Sequence, residues 1–238
     1  MALPSSNPLL AGGKTEGSDV EIPVADGNIS GYLARPAGGG AAPGVVVIHE
    51  NRGLQPYLRD VADGLASSGY IAVAPDLLSR EGGTATIADI PPVLSEIPRE
   101  RHTADALAAI AYLQSQGATR IGIIGFCFGG GVTWRVATES ADIAAAVPFY
   151  GSNPPLEAVP NIKGAVHACY GEKDERINAG IDDITAALKA AGTTSDLKIY
   201  PGAGHAFHNH TNEDRYSAEA ATAAWADALA FLGKHLNG

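Results

Sequence analysis

The stretch 121–131, Ile-Gly-Ile-Ile-Gly-Phe-Cys-Phe-Gly-Gly-Gly, constrains this chain more than any other part of it. An apolar run of strand character ends in Gly-x-Cys-x-Gly, and Val-Thr-Trp-Arg-Val-Ala at 132–137 continues as the start of a helix. A strand that becomes a helix within one turn puts its tip residue in unusual backbone angles, and a side chain at Gly125 or Gly129 would collide with the neighbouring strand or helix. The tip residue is Cys127. Its sulfur is expected over the first free N–H groups of the helix, where those groups and the helix dipole favour a thiolate over a thiol. A glycine-rich turn around a buried, structural cysteine is the plainer alternative, and the rest of the chain weighs against it.

Strands and helices alternate around that unit. Residues 20–24 and 29–34 have the alternation of half-buried strands, with the hairpin signal Asp26-Gly27-Asn28 between them. Val-Val-Val-Ile at 45–48 is apolar on both faces, as a central parallel strand is. Helices are expected at 59–68, 100–116, 132–140, 178–191 and 217–235, and further strands at 70–74, 143–150, 164–170 and 197–200. That order demands an α/β fold with a mostly parallel central sheet and helices on both faces. A length of 238 residues suits one such domain, expected over 19–238, with 1–18 as a flexible N-terminal arm rich in Pro, Ser and Gly. Residues 79–98, with Gly82-Gly83 and prolines at 91, 92 and 98, are expected to form a surface loop or lid at the carboxyl end of the strand 70–74.

Charge and cysteine content narrow the partners. The net charge is −10, with no cluster of Lys and Arg, which speaks against nucleic acid and anionic membranes. Two cysteines make no disulfide framework, and the first residues lack a signal-peptide pattern, so a cytoplasmic location is expected. The oligomeric state is left open.

A thiol nucleophile needs a base, and the base needs a group that holds its tautomer. A strand–turn–helix with a nucleophile between glycines is the elbow of α/β-hydrolases, here with cysteine where serine usually stands, and its partners follow in the order nucleophile, acid, histidine. Asp174 in Tyr-Gly-Glu-Lys-Asp-Glu (170–175) is the best acid, with Glu172 and Glu175 as weaker candidates. His205, between glycine and an aromatic after the strand 197–200, is the histidine in the right place. His208 and His210 follow closely, but no carboxylate or cysteine at a matching spacing completes a metal site, and neither metal nor organic cofactor is expected. The loop His-Glu-Asn-Arg-Gly-Leu at 49–54 follows the strand 45–48, and the backbone N–H groups of Asn51 and Phe128 are the expected oxyanion donors. Glu50 beside such a hole has either a separate role or a salt bridge to Arg52. Cys169, inside an apolar strand, is expected to be inert packing.

With these residues in place, residues 20–236 resemble the dienelactone hydrolases, or carboxymethylenebutenolidases. The family's Gly-x-Cys-x-Gly-Gly matches Gly125, Cys127, Gly129 and Gly130; its acid matches Asp174, its histidine His205, and its glutamate Glu50. The resemblance implies that Glu50 holds the resting thiol neutral and takes its proton once substrate displaces it. It also implies two carboxylate-binding arginines. Arg80 fits the first, but Asn209 stands four residues past His205, where the second belongs. The loss of that charge-assisted contact implies weak selection for anionic substrates.

The expected protein is therefore a cysteine hydrolase of small esters or lactones, acting through a thioacyl enzyme. Two rivals remain: a non-hydrolytic thiol sensor of the same fold, and a hydrolase of activated phosphate triesters.

Overall fold

The structure is a computed structural model and describes residues 9–237. Among these residues, eight strands, β1 (Thr15–Val24), β2 (Gly27–Pro36), β3 (Ala42–Ile48), β4 (Ile71–Pro75), β5 (Ala118–Phe126), β6 (Ile143–Phe149), β7 (Ala165–Gly171) and β8 (Ser195–Tyr200), form one sheet in the order β1-β2-β4-β3-β5-β6-β7-β8. β1 and β2 pair antiparallel, as do β2 and β4; every other neighbour is parallel. Among the described residues, seven α-helices accompany it: α1 (Pro56–Ser67), α2 (Ile90–Glu96), α3 (Arg99–Ser115), α4 (Phe128–Glu139), α5 (Glu175–Asn178), α6 (Ile181–Ala191) and α7 (Ala218–Leu236).

The period-2 alternation of a strand divides the apolar residues between two cores. On β3, Val45 and Val47 join α1 and α7 on one face, while Val46 and Ile48 join α3, α4 and α6 on the other. With both faces covered, the carboxyl edge of the parallel strands is where loops leave the sheet. Glu50 follows β3, Cys127 follows β5, Asp174 follows β7 and His205 follows β8. No helix among the described residues is long and apolar enough to cross a membrane.

Three expectations need correction. The arm was expected through residue 18, but β1 begins at Thr15 and pairs with β2 along its whole length; residues 1–8 of that arm lie outside the described residues. The expected loop 79–98 contains α2, because Pro91 and Pro92 occupy the first helical turn, where a missing N–H costs nothing. Ile90, Leu94 and Ile97 then pack on Leu78 and Phe128. The helix expected at 178–191 begins three residues later, as α6, and the short α5 precedes it.

His208 is buried at 1% exposure against Phe126, Phe149 and Trp225, with the Tyr57 hydroxyl 2.6 Å from Nδ1. Burial lowers its pKa to about 3. An unfolded chain protonates this histidine near pH 6.5, so between those values the unfolded state binds the extra proton and stability falls as pH falls. Urea melts between pH 6 and pH 4 are expected to show His208→Gln lowering the slope of stability against pH by about 1.4 kcal/mol per pH unit relative to the wild type. An unchanged slope would mean that His208 is protonated in the folded protein.

Candidate active site

The elbow strains one residue. Cys127 sits at φ 56°, ψ −113°, in the positive-φ region that a residue with a Cβ rarely occupies. A Cβ on Gly125 would lie 2.2 Å from the Gly129 carbonyl oxygen, and one on Gly129 would lie 2.4 Å from the Ile48 oxygen, so only glycine lets β5, α4 and β3 approach this closely. Cys127 N donates to the Phe149 carbonyl at 3.0 Å, tying the tip to the end of β6.

The Cys127 sulfur lies 3.1 Å from His205 Nε2, and the other ring nitrogen, Nδ1, lies 2.5 Å from Asp174 Oδ2. Asp174 is buried at 6% exposure, immediately before α5. The weaker acid candidates are elsewhere: Glu172 accepts from the Gly202 N–H, and Glu175 is exposed. The backbone N–H groups of Phe128 and Asn51 both act to lower the Cys127 pKa, so the two expected oxyanion donors lie beside the sulfur.

Glu50 turns inward. Its Oε2 accepts from Asn209 Nδ2 at 2.7 Å and its Oε1 from the Tyr150 hydroxyl at 3.3 Å, so the Arg52 salt bridge is not formed. The loop is curled by His49, whose Nε2 accepts from Leu77 N–H; Nδ1 therefore carries the hydrogen and donates to the Glu50 carbonyl. Burial raises the Glu50 pKa. The Cys127 pKa is raised as well, first by burial and then by the charge of Glu50, and these outweigh the two N–H groups that lower it. The thiolate expected at the helix terminus is thereby corrected: the resting sulfur favours the thiol. Cys169 is fully buried beside Tyr200 and its pKa is driven far up. His208 and His210 turn away from His205, to Tyr57 and Asp60.

The sulfur opens into a cavity of about 470 Å³ lined by α2, α3, α4 and the loop after β6. The model of the dienelactone hydrolase family matches residues 29–236. The chain belongs to that family. A protein of Methylorubrum extorquens named a putative carboxymethylenebutenolidase is 36% identical over 238 residues, covering 92% of this chain and 79% of that protein. A protein of Saccharolobus solfataricus with the same name is 35% identical, covering 86% of this chain and 93% of that one. Among solved structures, a putative dienelactone hydrolase of Klebsiella pneumoniae superposes with a TM-score of 0.86 at 30% identity, over 93% of this chain and 99% of that one. A dienelactone hydrolase-like promiscuous phosphotriesterase from metagenomic libraries shares the fold at a TM-score of 0.83 and 23% identity, over 94% and 99%. This family member is thus a hydrolase with the α/β-hydrolase fold.

Arg80 is not brought to the cavity. Its Nε and Nη2 grip Asp26, and its Nη1 lies 2.6 Å from Asp105, a carboxylate that is almost wholly buried. The expected substrate arginine is a structural clasp between the β1–β2 turn and α3. Asn209, expected to mark a lost substrate contact, holds Glu50 instead. Sequence reading missed Tyr150, although it ends the strand beside the elbow, and missed Arg135, which lies eight residues past Cys127 on the cavity face of α4.

Arg80→Ala leaves Asp105 buried and unpaired. The expected result is a loss of about 3–5 kcal/mol in stability by urea melting, while kcat/KM on 4-nitrophenyl acetate stays within a few-fold. A large kinetic loss with stability intact would return Arg80 to the substrate.

Proposed function

We propose that the chain hydrolyses small carboxylic esters or lactones through a thioacyl enzyme on Cys127. The observation that carries this reading is the series Cys127 sulfur, His205 and Asp174, linked at 3.1 and 2.5 Å. In the resting state the thiol is neutral. Substrate entry shifts its proton to Glu50, and the thiolate adds to the carbonyl carbon. The oxyanion takes up the Asn51 and Phe128 N–H groups. Collapse breaks the ester C–O bond, and the leaving oxygen receives the displaced proton through His205, which Asp174 orients. Water then loses a proton to His205 and attacks the thioester. The C–S bond breaks, the acid departs, and Cys127 regains its proton.

Cys127→Ala is expected to lower kcat/KM on 4-nitrophenyl acetate by on the order of 10⁴-fold, while Cys169→Ala stays within a few-fold. Activity surviving the first substitution would sink the nucleophile assignment. Running the same panel with an activated phosphate triester, alongside thiol labelling, separates ester hydrolysis from the two rivals: faster triester turnover would favour the phosphorus centre, and a labelled thiol without turnover of either would favour a sensor.

Glu50→Gln removes the group that receives the thiol proton. Stopped-flow acylation is expected to slow by about 10²–10⁴-fold, the usual range for a lost proton acceptor. The melting temperature at pH 7 is not expected to fall, because a buried carboxyl whose pKa is raised binds its proton better in the folded state and loses stability as pH rises through that range. An unchanged acylation rate would remove Glu50 from the mechanism.

A further inference from the structure

The cavity that meets Cys127 is cationic in a chain of net charge −10. Arg99 at the start of α3, Arg135 on α4 and Arg176 on α5 all line it, and no Asp or Glu does. None of the three guanidinium groups has a carboxylate within salt-bridge distance among the described residues. Arg135 is the informative one. It is only part-exposed, and its Nε and Nη2 are buried with no protein acceptor, although a buried guanidinium ordinarily finds one. Glu100 and Glu139 attract it through space without bonding to it, and Arg99 repels it. His102, buried against Phe128 on the same wall, also has both ring nitrogens unpartnered; its pKa is lowered to about 4, so at neutral pH it is an uncharged donor and acceptor. Ser95, Ser152 and Asn153 add neutral hydrogen-bonding groups.

A charge left unpaired in a part-buried wall, as that of Arg135 is, is costly to keep, and with the exposed Arg99 and Arg176 on the same cavity three charges outnumber the single charge of a carboxylate. Resting on the hydrolase reading of Cys127, we propose that Arg135, Arg99 and Arg176 form a subsite for a multiply charged anionic group of the substrate, either a phosphate-like dianion or a pair of carboxylates, with the scissile carbonyl at the sulfur. The subsite lies on α3, α4 and α5 rather than at Arg80 or position 209. It reverses the weak selection for anions that the sequence alone implied.

The test compares three 4-nitrophenyl esters with acyl tails of matched length ending in a methyl group, one carboxylate or a phosphonate, with tricarballylate and phenylphosphonate as non-reacting competitors. Rising tail charge is expected to raise kcat/KM by about tenfold or more from neutral to phosphonate, mainly through KM, and the advantage shrinks with added salt. Arg135→Gln is expected to erase that advantage, so that the phosphonate ester no longer exceeds the neutral one in kcat/KM, without lowering the melting temperature, since it removes an unpaired buried charge. Arg99→Gln, at an exposed position, guards against a folding artefact and is expected to reduce the same advantage. Tighter competition by phenylphosphonate points to a phosphate-like group, and by tricarballylate to paired carboxylates. Equal or better turnover of the neutral ester, or an anionic preference that survives Arg135→Gln and Arg99→Gln, overturns the subsite. Calorimetric binding of the two competitors to Cys127→Ala separates the failures: binding without wild-type turnover of any ester defeats the hydrolase reading alone, and turnover without binding defeats the subsite alone.

Discussion

The left-handed backbone at Cys127 is the constraint on which the rest of the site is arranged. A conformation of this kind costs on the order of 1–3 kcal/mol and persists only where its surroundings over-determine it. Here the surroundings are three strand ends tied in series. Cys127 N–H bonds to Phe149 at the end of β6, and Tyr150 N–H bonds at 2.7 Å to the Cys169 carbonyl on β7. Tyr150 is itself at φ 37°, and the Gly151 that follows crosses directly over Gly130. The strain is therefore spread over adjacent turns whose sheet hydrogen bonds are already made. Each of those turns presents a side chain to the same point: Cys127, Tyr150 and, one strand further, Asp174.

Burial then sets the chemistry of the side chains that meet there. Cys127 and Glu50 are two acids in a poorly solvated space, and the charge of either raises the cost of ionising the other. Asn209 and Tyr150 hold the glutamate in place, yet their hydrogen bonds do not offset its desolvation. Two such acids do not both ionise readily, and the thiol, whose ordinary pKa is the higher, is the one that keeps its proton. In the reaction proposed above, nucleophilic sulfur becomes available through a rearrangement in the site rather than as a standing thiolate exposed to oxidants.

Much of this was legible in the sequence wherever a requirement is local. Gly-x-Cys-x-Gly between an apolar run and a helix specifies the elbow because no other residue fits at Gly125 and Gly129. The order of Cys127, Asp174 and His205 along alternating strands and helices places all three at one sheet edge, because parallel strands end on the same side. The proline-marked segment 79–98 misled because proline breaks a helix interior but suits its first turn, and the sequence pattern does not say which of the two applies.

Side-chain pairings across the fold were decided by tertiary structure alone. Arg80 is claimed by Asp26 and Asp105, which lie 54 residues before it and 25 after it. Glu50 is claimed by Asn209, 159 residues away, instead of Arg52 two positions on. Arg135 has no carboxylate within salt-bridge distance among the described residues, although the chain carries ten net negative charges. The sequence by itself determined the alternation of strands and helices, the strained cysteine and the acid and histidine that line up with it, because backbone geometry and period follow from short stretches. Which charges meet, and so whether Cys127 rests as thiol or thiolate, depended on distances and desolvation that exist only once both sheet faces are covered.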